Sequence, residues 1–141
     1  KTMSEDIRKM IDKVKSFNQF INENVSRTLT LYHGTCEGNG KNLIENGWKP
    51  INDGYGGNMG NPNYLYLSSE PEDALWFAEE KGCNTVIEIM NIPIDYLRPD
   101  PEDEAGFTMK ELLDRIDTNG FPSKFILTKP LDNSHFKPYN V

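Results

Sequence analysis

Four short β-forming runs, each interrupted soon afterwards by glycine or proline, constrain this chain more than any other feature. They are residues 28–32, 64–68, 85–92 and 125–128, with Gly34, Pro71, Pro93 and Pro130 beyond their ends. Residues 28–32, Thr-Leu-Thr-Leu-Tyr, alternate polar and apolar side chains, the period of a strand with one buried face. Gly34 is expected to break that strand just after His33. Between the strands lie helical patterns. Residues 41–46 end at Gly47, a C′ glycine. Residues 71–81 follow Ser69 and Glu72, spaced as a capping box, and end at Gly82; a second such box, Thr108 and Glu111, opens a helix to about residue 117. The resulting order β-α-β-α-β-α-β predicts a mixed α/β or α+β domain with split sheets.

A chain of 141 residues supports one such core. Residues 1–27 read as an appended segment, with 28–141 as the main domain. Ile7, Met10, Ile11, Val14, Phe17 and Ile21 fall on one face of a helix over 4–24, with Ser4 as its cap. That helix is expected to pack on the domain or to dock a partner. The longest apolar run, residues 74–78, is far below the ~18 residues of a membrane span, and the charged opening lacks a signal-peptide pattern. No membrane association and a cytoplasmic location are therefore expected. The net charge of -7 argues against sequence-independent nucleic-acid binding, which needs a basic surface. Cys36 and Cys83 are too few for a disulfide framework and are expected to be free thiols.

Few side chains offer acid–base chemistry near neutral pH. His33 and His135 are the two histidines, and His33 stands where a strand meets a glycine. His33, Cys36, Cys83 and His135 form a nominal zinc set, but only the first two are close in sequence, whereas structural zinc ligands come in tight pairs. No metal is expected. Cys36 as a nucleophile lacks a marked orienting partner or oxyanion hole. The acidic stretch of Asp95, Asp100, Glu102, Asp103 and Glu104 lacks the alternation and glycine of a calcium loop.

An ordered combination carries more information. Leu31-Tyr32-His33-Gly34-Thr35 is followed by Asn46-Gly47-Trp48-Lys49-Pro50 and then a loop over 52–63 rich in Gly and Asn. Tyr64-Leu65-Tyr66-Leu67-Ser68 comes next, then Ala74-Leu75-Trp76-Phe77-Ala78-Glu79, and later Asp100-Pro101. This set resembles the His-Tyr-acid class of NAD-dependent ADP-ribosyltransferases, and within it the small rifamycin ADP-ribosyltransferases. The resemblance spans residues 31–101. It implies an α+β fold of split mixed β-sheets around an NAD cleft, NAD as co-substrate, and transfer of ADP-ribose to an acceptor that is a protein, a nucleic acid or a small molecule; a protein is the first choice. The chain departs from the polymerases of the class at Lys124, which stands where they carry their acid before the last strand.

The resemblance also assigns roles. His33, Tyr66 and Asp100 would be catalytic; His33, Gly34, Thr35, Tyr64, Tyr66 and Ser68 would hold NAD. Cleavage of the nicotinamide–ribose bond passes through a cationic sugar with a good leaving group, so positioning matters more than a strong base. Backbone groups at Gly34 would meet the nicotinamide amide, His33 would donate to a ribose hydroxyl, and Tyr66 would stack on the nicotinamide ring. Asp100, or else Glu102 or Glu104, would stabilise the developing positive charge. The loop over 52–63 would close on the dinucleotide. An inactive relative that binds a partner through the same cleft, and an NAD+ glycohydrolase, are the alternative expectations.

Overall fold

The computed structural model describes residues 27–51, 63–118 and 120–140. The expected helix over 4–24, and all of the Gly/Asn loop except Asn63, lie outside these residues. The strands are β1 (Thr28–Thr35), β2 (Leu65–Ser68), β3 (Thr85–Pro93), β4 (Leu97–Pro99), β5 (Lys124–Leu127) and β6 (Phe136–Tyr139). The helices are α1 (Glu37–Asn46), α2 (Pro71–Glu80) and α3 (Met109–Asp117), with 3-10 turns at Ile94–Tyr96 and Asn133–His135.

All six strands form one sheet in the order β4-β5-β2-β1-β3-β6. Every pairing is antiparallel, which corrects the expectation of mixed sheets. The joints are unequal. β1 and β3 pair from Thr28↔Pro93 to Thr35↔Thr85, whereas β1 and β2 share a single pair, Tyr32↔Ser68. The sheet is thus two three-stranded halves, β4-β5-β2 and β1-β3-β6, joined at one rung. Between Leu29↔Ile92 and Leu31↔Ile89 the β3 side carries one extra residue, a bulge where Asn91 takes a φ of 56°.

Strand alternation divides the side chains between two faces. Leu29, Leu31, Leu65, Leu67, Ile87, Ile89, Phe125 and Leu127 fill one face and pack with Leu43 of α1 and Leu112 and Leu113 of α3. The other face receives α2 through its buried Ala74 and Ala78. Gly34 lies within β1 rather than ending it, and pairs with Val86. Its missing side chain serves packing: a Cβ there would lie 1.8 Å from the Ala74 carbonyl oxygen. The strand runs on to Thr35 because pairing with β3 outweighs the weak β-propensity of glycine.

Three local expectations change in the same way. α1 begins at Glu37, earlier than its glycines suggest, because buried Gly40 packs where a Cβ would sit 2.9 Å from Thr85 Cγ2. The Ser69–Glu72 box does not form. Glu70 is the N-cap residue, with no side-chain cap bond, and Ser69 Oγ instead accepts the Ser123 N–H at 2.9 Å. Cys36 and Cys83 are joined in a disulfide, with Cα atoms 5.0 Å apart, so the expected free thiols are paired. The Thr35↔Thr85 rung brings their neighbours Cys36 and Cys83 together, a juxtaposition that sequence spacing does not reveal. Other expectations hold. Gly47 closes α1 with φ 73°, and Thr108 and Glu111 form the reciprocal capping box of α3. No helix among the described residues is long and apolar enough to cross a membrane.

Candidate functional site

The seam between the two half-sheets opens into a cleft of about 580 Å³. Past the Tyr32↔Ser68 rung, a continued ladder would set Gly34 opposite Tyr66, but no such pair forms. His33 takes the place of that rung. Its Nδ1 lies 2.7 Å from the Tyr66 carbonyl oxygen. A carbonyl can only accept, so Nδ1 carries the proton and Nε2 of the neutral ring is left as an acceptor. Burial pushes the His33 pKa down to about 4; the bond to Tyr66 opposes the shift and nearby Lys81 adds to it. At neutral pH the imidazole therefore offers Nε2 as an acceptor. With Nδ1–H engaged by Tyr66, the neutral ring has no N–H left to donate to a ligand.

The cleft is bordered by His33, Gly34 and Thr35 from β1, Tyr64, Tyr66 and Ser68 at β2, and Asp100 beyond β4, but not by the alternative acid Glu104. Their states differ. Tyr66 alternates with buried Leu65 and Leu67, so its ring belongs to the α2 face of the sheet, the face that Tyr32 and Ser68 share. His33 belongs to the opposite face, and the parted strands let both border the same opening. Thr35 and Ser68 are buried, and Ser68 Oγ accepts the Glu70 N–H at 3.2 Å.

The acids sort by geometry. Asp100 is 6% exposed, and its Oδ1 accepts the N–H groups of Glu102 and Asp103 at 2.8 and 3.1 Å. Its own N–H donates to the Lys124 carbonyl at 3.0 Å, which ties the acidic loop to β5. Asp100 thus organises the cleft rim as well as lining it. Glu102 also lines the cleft. Glu104 does not: it is buried, its Oε2 2.7 Å from Arg115 Nη1 and 3.1 Å from the Lys124 N–H. Its geometry is that of a structural ion pair. Lys124 reaches the cleft with Nζ 3.3 Å from Asp103 Oδ2 and 5.0 Å from the centre of the Phe77 ring.

Sequence reasoning assigned no role to Phe77, Trp48 or Lys81, which also line the cleft. The signal for two of them was present, since Ala74, Phe77 and Lys81 follow the 3-4 spacing of one helix face. Trp48 is placed by a bridge to Leu131, with N–H···O bonds of 2.9 Å in both directions, a contact without a local signature. The nominal zinc set is broken up, because its two cysteines bond each other and His135 Nδ1 pairs with the Met90 carbonyl at 2.7 Å. No protein-family model, curated protein or solved structure matches the chain.

Proposed function

We propose that this chain is a mono-ADP-ribosyltransferase that takes NAD+ in the seam cleft and transfers ADP-ribose to an acceptor, with a protein as first choice. One observation carries the reading: His33, Gly34, Thr35, Tyr64, Tyr66, Ser68 and Asp100, drawn from separate parts of the chain, border a single cleft. Its size suits a ligand of this class, since small-molecule sites span roughly 300–1,000 Å³. In the reaction the bond between ribose C1′ and the nicotinamide nitrogen breaks, and nicotinamide leaves with the electron pair. An acceptor nucleophile then bonds to C1′ and gives up its proton. The ring of Tyr66 would hold nicotinamide, His33 Nε2 would accept from a ribose hydroxyl, and the Asp100 carboxylate would offset positive charge on the sugar.

A second reading has its own support. Asp100 Oδ1 already accepts two loop N–H groups, and the Lys124 ammonium brings positive charge to the same cleft. Both features suit an inactive binding module of the same architecture. The experiment is incubation with NAD+ and measurement of released nicotinamide. Release supports the enzyme, and no release supports the binding module. Transfer of labelled ADP-ribose to lysate components then separates a transferase from an NAD+ glycohydrolase. For cellular location, the Cys36–Cys83 disulfide favours an oxidising compartment over the cytoplasm expected from the sequence.

A further inference from the structure

We propose that the Cys36–Cys83 disulfide is a redox clamp on the cleft: its reduction frees the start of α1 from the turn beyond α2, loosens that helix end in the cleft wall and weakens ligand binding while the sheet stays folded. The binding part of this inference rests on the reading of the cleft as a dinucleotide site.

The clamp's position is the first argument. Thr35↔Thr85 is the last rung of the β1–β3 ladder, and the disulfide lies immediately beyond it. Cys36 is the N-cap residue of α1, which contributes Asn39 and Asn42 to the cleft. Cys83 follows the end of α2, whose Glu80 and neighbouring Lys81 line the same cleft. One covalent bond therefore ties two segments of its wall.

Local forces make the first of those segments dependent on the bond. Cys36 provides no side-chain cap to α1, and the opening turn contains Gly38 and Gly40, residues of low helix propensity. The turn beyond α2 is held by bonds within its own segment, Lys81 N–H and Cys83 N–H both reaching the Ala78 carbonyl. Those bonds do not cross to α1. The sheet has support apart from the bond, because β1 and β3 pair from Thr28↔Pro93 to Thr35↔Thr85 and Leu29, Leu31, Ile87, Ile89 and Ile92 belong to the main core. Both cysteines are partly exposed, so a small dithiol can reach them.

The chemistry is a two-electron exchange with a dithiol. Its thiolate attacks one sulfur and forms a mixed disulfide, and its second thiol displaces that sulfur. The Cys36–Cys83 bond breaks, both sulfurs become thiols, and the reductant leaves as a cyclic disulfide with two electrons and two protons transferred.

The test compares protein as purified, protein kept in dithiothreitol, and the double variant Cys36→Ser/Cys83→Ser. A thiol count establishes each state, calorimetric titration gives NAD+ affinity, and amide hydrogen exchange reports on residues 36–43 and 80–85. The expected result is at least a tenfold loss of NAD+ affinity on reduction, with faster exchange confined to residues 36–43, little change at 80–85, and recovery on reoxidation. The double variant should match the reduced protein without reductant. Unchanged affinity, or faster exchange throughout the sheet, overturns the clamp. If the oxidised protein fails to bind NAD+, the functional reading falls; the exchange pattern then still upholds or overturns the local clamp.

Discussion

The imidazole of His33 stands where β1 and β2 part, its Nδ1 2.7 Å from the carbonyl oxygen of Tyr66. That bond satisfies a backbone acceptor left over where the ladder stops, and it fixes the neutral tautomer. The folded pKa of about 4 lies below the ordinary value of 6.5, so between those values the unfolded chain binds more protons. Stability from this group is complete above about pH 6.5 and declines as the pH falls toward 4. The full effect is on the order of 3 kcal/mol. Urea unfolding at pH 7.5 and 4.5 should show a steeper loss for the wild-type protein than for His33→Gln. Parallel losses would mean that His33 protonates freely in the folded state.

Gly34→Ala should be among the most damaging single-methyl changes in this protein. The new Cβ would lie 1.8 Å from the Ala74 carbonyl oxygen, which is backbone and cannot rotate away. Relief requires α2 to lift from the sheet and to expose Ala74 and Ala78. A loss of about 3 kcal/mol is expected, at the upper end for overpacking, and thermal melting measures it. A melting temperature within a degree or so of wild type would show that α2 yields easily.

Tyr66→Ala should lower NAD+ turnover strongly while the protein remains folded. The bond to His33 uses the Tyr66 backbone and survives the change, so only the ring is removed. Loss of an aromatic stack costs on the order of 1 kcal/mol or more, so NAD+ affinity should fall as well. Tyr64→Ala should have the smaller effect, because Tyr64 precedes β2 rather than belonging to it. The reverse order of effects would shift the stacking role to Tyr64.

Asp100 invites a pair of substitutions that separate charge from architecture. Asn keeps an oxygen to accept the Glu102 and Asp103 N–H groups, whereas Ala leaves both without that partner. Asp100→Ala should therefore destabilise by about 1–3 kcal/mol, and Asp100→Asn by much less. If the carboxylate also stabilises a cationic transition state, Asp100→Asn should cut NAD+ turnover about a hundredfold and affect kcat more than KM. Normal turnover in a stable Asp100→Asn protein would leave Asp100 as a loop anchor and move the search for an acid to Glu102.

Glu104→Gln tests the opposite case. The carboxylate is buried against Arg115, and neutralising it leaves a guanidinium that is largely removed from water without its counter-charge, with only neutral acceptors such as the Pro122 carbonyl. A stability loss of about 3 kcal/mol is expected, since breaking a buried pair from one side is costly. Turnover per folded molecule, measured well below the melting point, should be unchanged. A selective loss of turnover with normal melting would return Glu104 to the list of candidate acids.

Features governed by near neighbours in the chain were legible in the sequence. The alternation of residues 28–32, the Gly47 stop and the Thr108–Glu111 box each depend on contacts within a few residues, so pattern and propensity located them. Candidate site residues were also readable as types: a histidine beside glycine, two tyrosines on one strand face, and an acid before proline. Tertiary structure decided what those local rules do not reach. Gly34 reads as a strand breaker, but in the fold it is the point where α2 comes closest. Ser69 reads as a cap, but its hydroxyl serves the N–H of Ser123 across the sheet. β4 and β6 have little pattern of their own and become strands because β5 and β3 offer them edges. The Cys36–Cys83 bond, the single rung at Tyr32↔Ser68 and the His33–Tyr66 contact all follow from the register between distant strands. Register is fixed by burying one face of every strand at once, and no local stretch of sequence contains that condition.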